Sequence, residues 1–121
     1  MAQGMKMLGA ALAALPEVRE LMMNIDAGTS PVAVSGLASV HRAQLAAALR
    51  QQLDRPLLVL CADENEANRM ALDLTALLGE EVSLLFAREW QLRDRVSASH
   101  GWEQQRIGTL CRLAAGEASV L

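Results

Sequence analysis

The spacing of apolar residues at the start of the chain predicts two short helices. Apolar residues recur every three or four positions as far as Leu15, which is the period of one helix face. Pro16 followed by Glu17 is typical of the first turn of a new helix, since proline needs no amide partner there. Gly, Ser and Pro then cluster between residues 26 and 31. We therefore predict an N-terminal helical segment over residues 1–28 that ends in a loop.

From residue 29 onward the pattern changes to short apolar runs, each followed by a stretch with helical spacing. The predicted strands are residues 31–34, 57–61, 82–86 and 118–121. Consecutive apolar positions favour strands that are buried on both faces. Strands that alternate with helices predict an α/β fold with a doubly wound parallel sheet over residues 29–121. Because the fourth strand has no helix after it, we expect this subdomain to be incomplete.

Several residues mark where the helices of this region begin and end. Asp63 and Glu66 have the spacing of a capping box, which favours a helix start, and Gly79 favours the end of that helix. A helix is predicted over residues 43–53, and a last helix is predicted to be capped by Ser97 or Ser99 and to end at Gly116. The predicted buried side of the last helix consists of Ile107, Leu110, Cys111 and Ala114.

Composition narrows the classes of function. Hydrophobic residues make up 52% of the 121 residues and charged residues 21%, so the chain is expected to fold as one domain. Aromatic residues make up only 2% and the net charge is -3, which disfavours stacking on single-stranded nucleic acid and attraction to DNA or an anionic membrane. Cys61 and Cys111 lie among apolar residues and are interpreted as small buried side chains in a reducing compartment, so we predict a cytoplasmic protein.

The turn after the first predicted strand is where a nucleotide-binding protein would hold phosphates. A working loop with the pattern G-x-x-x-x-G-K-[ST] needs a second glycine, a lysine for the β- and γ-phosphates, and a hydroxyl for Mg²⁺. This chain keeps Gly36, but places His41 at the second glycine, Arg42 at the lysine and Ala43 at the hydroxyl, with Ser39 inside the loop. The sequence therefore predicts a degenerate phosphate loop, with no bound cofactor and no catalytic residue.

A polar stretch before the last helix, and the start of that helix, contain the remaining candidates for an interaction surface. These candidates are Arg88, Trp90, Arg93, Arg95 and Trp102, with Arg106 nearby. Glu89, Asp94 and Glu103 are interleaved with the arginines, which favours a solvated, ion-paired face over a basic patch. Either tryptophan could anchor the stretch or contact a neighbouring domain. The two histidines have no partners at the spacing of a metal site, so no metal is predicted.

Residues 31–121 resemble the N-terminal, excinuclease B-like module of bacterial transcription-repair coupling factor. The resemblance is carried by G-L-x-S-x-x-R-A at the turn, R-P-L-L-V-L with A-D-E-N-E-A after it, L-L-G-E-E-V, A-R-E-W-Q-L-R-D, and E-Q-Q-R-I-G-T-L-C-R-L-A-A-G-E. It implies an N-terminal fragment without ATPase activity in a cytoplasmic protein of transcription-coupled nucleotide excision DNA repair.

The resemblance also implies the partners of the whole protein. Family members displace stalled RNA polymerase with a separate C-terminal motor that uses ATP and Mg²⁺, and they recruit excinuclease A through a second domain. For this fragment it implies contact with the remaining domains of its own polypeptide and no direct binding to DNA. The alternative is a lobe of an active P-loop ATPase or DNA helicase of the excinuclease B type, and the turn from Gly36 to Ala43 discriminates between the two.

Overall fold

The computed structural model describes residues 2–53, 55–87 and 100–121, which form five helices. The helices are α1 (Ala2–Ala13), α2 (Pro16–Asp26), α3 (Ser39–Gln52), α4 (Glu64–Leu78) and α5 (His100–Ala114). Proline in the first turn begins α2, as predicted. α3 begins at Ser39, four residues before the start that the sequence predicted. No helix in these ranges has the length and hydropathy of a transmembrane span.

Small residues allow three of the helices to pack closely. α3 contacts both α1 and α4, and its buried positions are alanines, Ala43, Ala47 and Ala48. Gly9 of α1 lies against Gln51 of α3, where a Cβ atom would come within 2.6 Å of the Gln51 Oε1 atom. The absence of bulky side chains at these positions brings the helix axes together.

The core lies where α3 and α4 meet the end of the chain. Its buried centre consists of Ala47, Leu74 and Val120, and partly buried residues pack around that centre. Leu57, Val59 and Val82 contribute from the segments between helices. Val120 is 1% exposed, so the last residues of the chain are packed among the elements that precede them.

The predicted doubly wound parallel sheet is wrong, because the described residues contain helices and no strand. The only β-contact among them is an isolated parallel bridge between Leu57 and Val120. Backbone bonds support this bridge on both sides: the Leu57 amide donates to the Ser119 carbonyl over 3.0 Å, and the Leu121 amide donates to the Leu57 carbonyl over 3.0 Å. The Ser83 amide donates to the Val120 carbonyl over 3.1 Å. Three predicted strands therefore touch without forming a continuous ladder.

The exposure of residues 57–61 explains why the apolar pattern predicted a buried strand. A strand inside a doubly wound sheet is covered on both faces. In residues 57–61, Leu57 and Val59 pack on the core, whereas Leu58 is 62% exposed and Leu60 is 87% exposed. A run of apolar residues does not distinguish a segment that is covered on one face from a strand that is covered on both faces.

The predicted buried side of α5 is also wrong. Ile107 is 59% exposed, and Leu110, Cys111 and Ala114 are exposed as well. The buried residue of α5 is Thr109, which is 2% exposed and donates its hydroxyl to the Leu84 carbonyl over 3.1 Å. α5 therefore meets the preceding segment in part through polar side chains, which donate to carbonyls of that segment.

Candidate functional site

The turn that would hold phosphates is too short for that role. Gly36 has a φ of +80°, a left-handed conformation that favours glycine, and α3 already begins at Ser39. In a phosphate loop, the amides between the two glycine positions point towards the ligand. The Arg42 amide, which follows the second glycine position, donates to the Ala38 carbonyl over 3.0 Å as an ordinary helical bond. Residues 39–42 therefore form the first turn of α3 and not an extended loop.

The side chains that stand at the lysine and hydroxyl positions are used for other contacts. Arg42 places its Nη1 atom 3.3 Å from the Oε1 atom of Glu66 on α4. Ala43 is fully buried at 0% exposure and packs inside the helical core. Ser39 and His41 are both exposed at the start of α3. The structure thus places Ser39, His41, Arg42 and Ala43 at the start of α3, with Ala43 buried, and leaves Gly36 in the turn before it.

Glu66 is the residue that organises the surroundings of the turn. Its amide donates to Asp63 Oδ1 over 2.8 Å, and its Oε2 atom accepts from the Ala62 amide over 2.9 Å. The predicted cap at Asp63 and the predicted helix end at Gly79 are confirmed, but the Glu66 side chain bonds the Ala62 amide and not the Asp63 amide that a capping box would use. The same carboxylate receives Arg42, so it joins the starts of α3 and α4.

Two carboxylates at the start of α4 act on the Cys61 thiol. The thiol of Cys61 is half-buried, and its pKa is raised first by burial and then by the negative charges of Glu66 and Asp63. Carboxylates that disfavour a thiolate also disfavour the phosphates of a nucleotide. Cys61 and Cys111 are both free; Cys111 is exposed, so the prediction that it is buried is wrong.

Only part of the predicted interaction surface lies within the described residues. Arg88, Trp90, Arg93 and Arg95 fall outside the described ranges, as do the predicted caps at Ser97 and Ser99. Trp102 is half-buried and stacks on Phe86, with ring centroids 6.2 Å apart and an interplanar angle of 15°. Trp102 therefore anchors α5 to the segment before it.

Arg106 takes part in the same anchor. Its Nη1 atom donates to the Phe86 carbonyl, and its side chain is half-buried. An arginine held in this way has fewer donors left for a phosphate or an acidic partner. Arg106 thus has a structural role in the part of the chain that the structure describes.

Sequence analysis did not single out Glu80, which connects three parts of the fold. Its Oε1 atom accepts from the Ser119 hydroxyl over 2.9 Å and lies 3.8 Å from Arg50 Nε. Among the described residues, that buried nitrogen has no hydrogen-bond partner, so the nearby carboxylate compensates its charge. Residues 39 positions apart meet here, and no short motif marks such a contact.

The described residues also contain no group of three or more His, Cys, Asp or Glu side chains that could hold a metal ion. Comparison with protein-family models, with curated proteins and with solved structures found no match to this chain. The functional argument therefore depends on the residues and their contacts.

Proposed function

We propose that this chain is a non-catalytic interaction module of a transcription-repair coupling factor, acting in transcription-coupled nucleotide excision DNA repair in the cytoplasm. The proposal depends on the motifs quoted above and not on the predicted sheet, which the described residues lack. The observation that carries it is the state of Arg42, whose amide is bonded within α3 and whose guanidinium is paired with Glu66. An Arg42 guanidinium that already pairs with a carboxylate supports a module without nucleotide chemistry.

The rival function, a lobe of an active P-loop ATPase, needs three features that are replaced here. It needs amides that converge on the phosphates, a free cation beside them, and a hydroxyl on Mg²⁺. α3 already begins at Ser39 in place of a loop, the Arg42 cation faces Glu66, and Ala43 offers no hydroxyl and is buried. In the proposed function, ATP and Mg²⁺ belong to a separate motor domain of the family.

The negative charge of the chain favours protein partners over nucleic acids. The net charge is -3, and the start of α4 presents Asp63, Glu64 and Glu66 beside the turn, so phosphate backbones are repelled there. The proposed partners are the remaining domains of the same polypeptide. RNA polymerase and excinuclease A would be contacted through other regions of the family's architecture.

Strand-resolved repair of ultraviolet lesions tests the proposed function in the host cell. With the gene intact, lesions should leave the transcribed strand faster than the other strand, and deletion of the gene should abolish that difference. Equal rates on the two strands before deletion, or an unchanged difference after it, would contradict the proposal.

A complementation variant separates the proposal from the ATPase alternative. The full-length gene carrying Arg42→Ala should restore the strand difference as the unchanged gene does, because the Arg42–Glu66 ion pair is partly exposed and contributes little. An ATPase that used Arg42 on its phosphates would lose activity, so failure of an Arg42→Ala protein that accumulates normally would favour the alternative.

A further inference from the structure

We draw no further inference here: the strongest candidate, the exposed apolar stripe of α5 formed by Ile107, Leu110, Cys111 and Ala114, is an unpartnered helix face among the described residues, and nothing in the structure shows what covers it.

Discussion

Replacing Asp63 with alanine should destabilise the protein through the loss of one helix cap. Asp63 Oδ1 accepts the Glu66 amide over 2.8 Å, and this amide is one of the first in α4, where no helical carbonyl is available to it. Loss of an N-cap acceptor costs about 1 kcal/mol, within a range of about 0.5–2 kcal/mol. Water can reach this exposed site and replace part of the bond, so we expect the middle of that range.

The free energy of unfolding is measured by urea denaturation, followed by far-ultraviolet circular dichroism. Asp63→Ala should lower it by about 1 kcal/mol, which corresponds to a fall in Tm of roughly 3–6 °C for a chain of this size. Asp63→Asn keeps an acceptor oxygen and should retain most of the stability. Asp73→Ala, at an exposed position in the middle of α4, should not lower the free energy of unfolding, because alanine favours the helix more than aspartate does.

The reasoning fails if the alanine and asparagine variants at Asp63 lose the same stability, because the acceptor oxygen would then be irrelevant. It also fails if Asp63→Ala matches the unchanged protein within error. A change in the denaturant slope, rather than in the midpoint alone, would mean that the variant alters the compactness of the folded or unfolded state.

Three further predictions concern α5 and the thiols. Thr109→Val should lower the free energy of unfolding by about 1–3 kcal/mol, because a buried carbonyl loses its donor. Ile107→Ala should lower it by less than about 1 kcal/mol, because Ile107 is exposed. The reverse order in urea denaturation would mean that the apolar face of α5 is the buried one. Gly108→Ala should raise the unfolding free energy by about 0.5–1 kcal/mol, since no atom lies within 4 Å of the added methyl group; a lower Tm would refute this. At mildly alkaline pH, iodoacetamide should alkylate Cys111 faster than Cys61, because burial and nearby carboxylates raise the pKa of Cys61 and leave less of it as thiolate. Equal alkylation rates, measured by mass spectrometry, would contradict this effect of burial and of the carboxylates.

Local signals were predictable from the sequence, because the atoms involved are close along the chain. The bonds at the start of α4 join residues three and four positions apart, and Gly79 acts on the helix turn directly before it. The absence of the second glycine, the lysine and the hydroxyl of a phosphate loop was equally visible at His41, Arg42 and Ala43. What the sequence did not predict there is the early start of α3 and the approach of Glu66 from 24 positions away.

The errors arose where contacts join distant residues or involve buried polar groups. The bridge between Leu57 and Val120 joins segments that are far apart along the chain, and the apolar runs alone predicted a larger sheet. The orientation of α5 depends on Thr109 and Arg106, which donate to carbonyls of the preceding segment. Apolar periodicity takes no account of such bonds, so the prediction placed the buried side of α5 on the opposite face of the helix.

Calorimetric titration of Mg-ATP into the 121-residue chain tests the central claim most directly, namely that the turn from Gly36 to Ala43 has no phosphate-binding function. We predict no heat of binding up to millimolar nucleotide, both for the unchanged chain and for Glu66→Gln. The variant removes the opposing charge but leaves the Arg42 amide bonded to Ala38 within α3. Saturable binding with a micromolar Kd in the unchanged chain would contradict the account. Binding that appears only in Glu66→Gln would show that charge, and not the helical backbone, blocks the site.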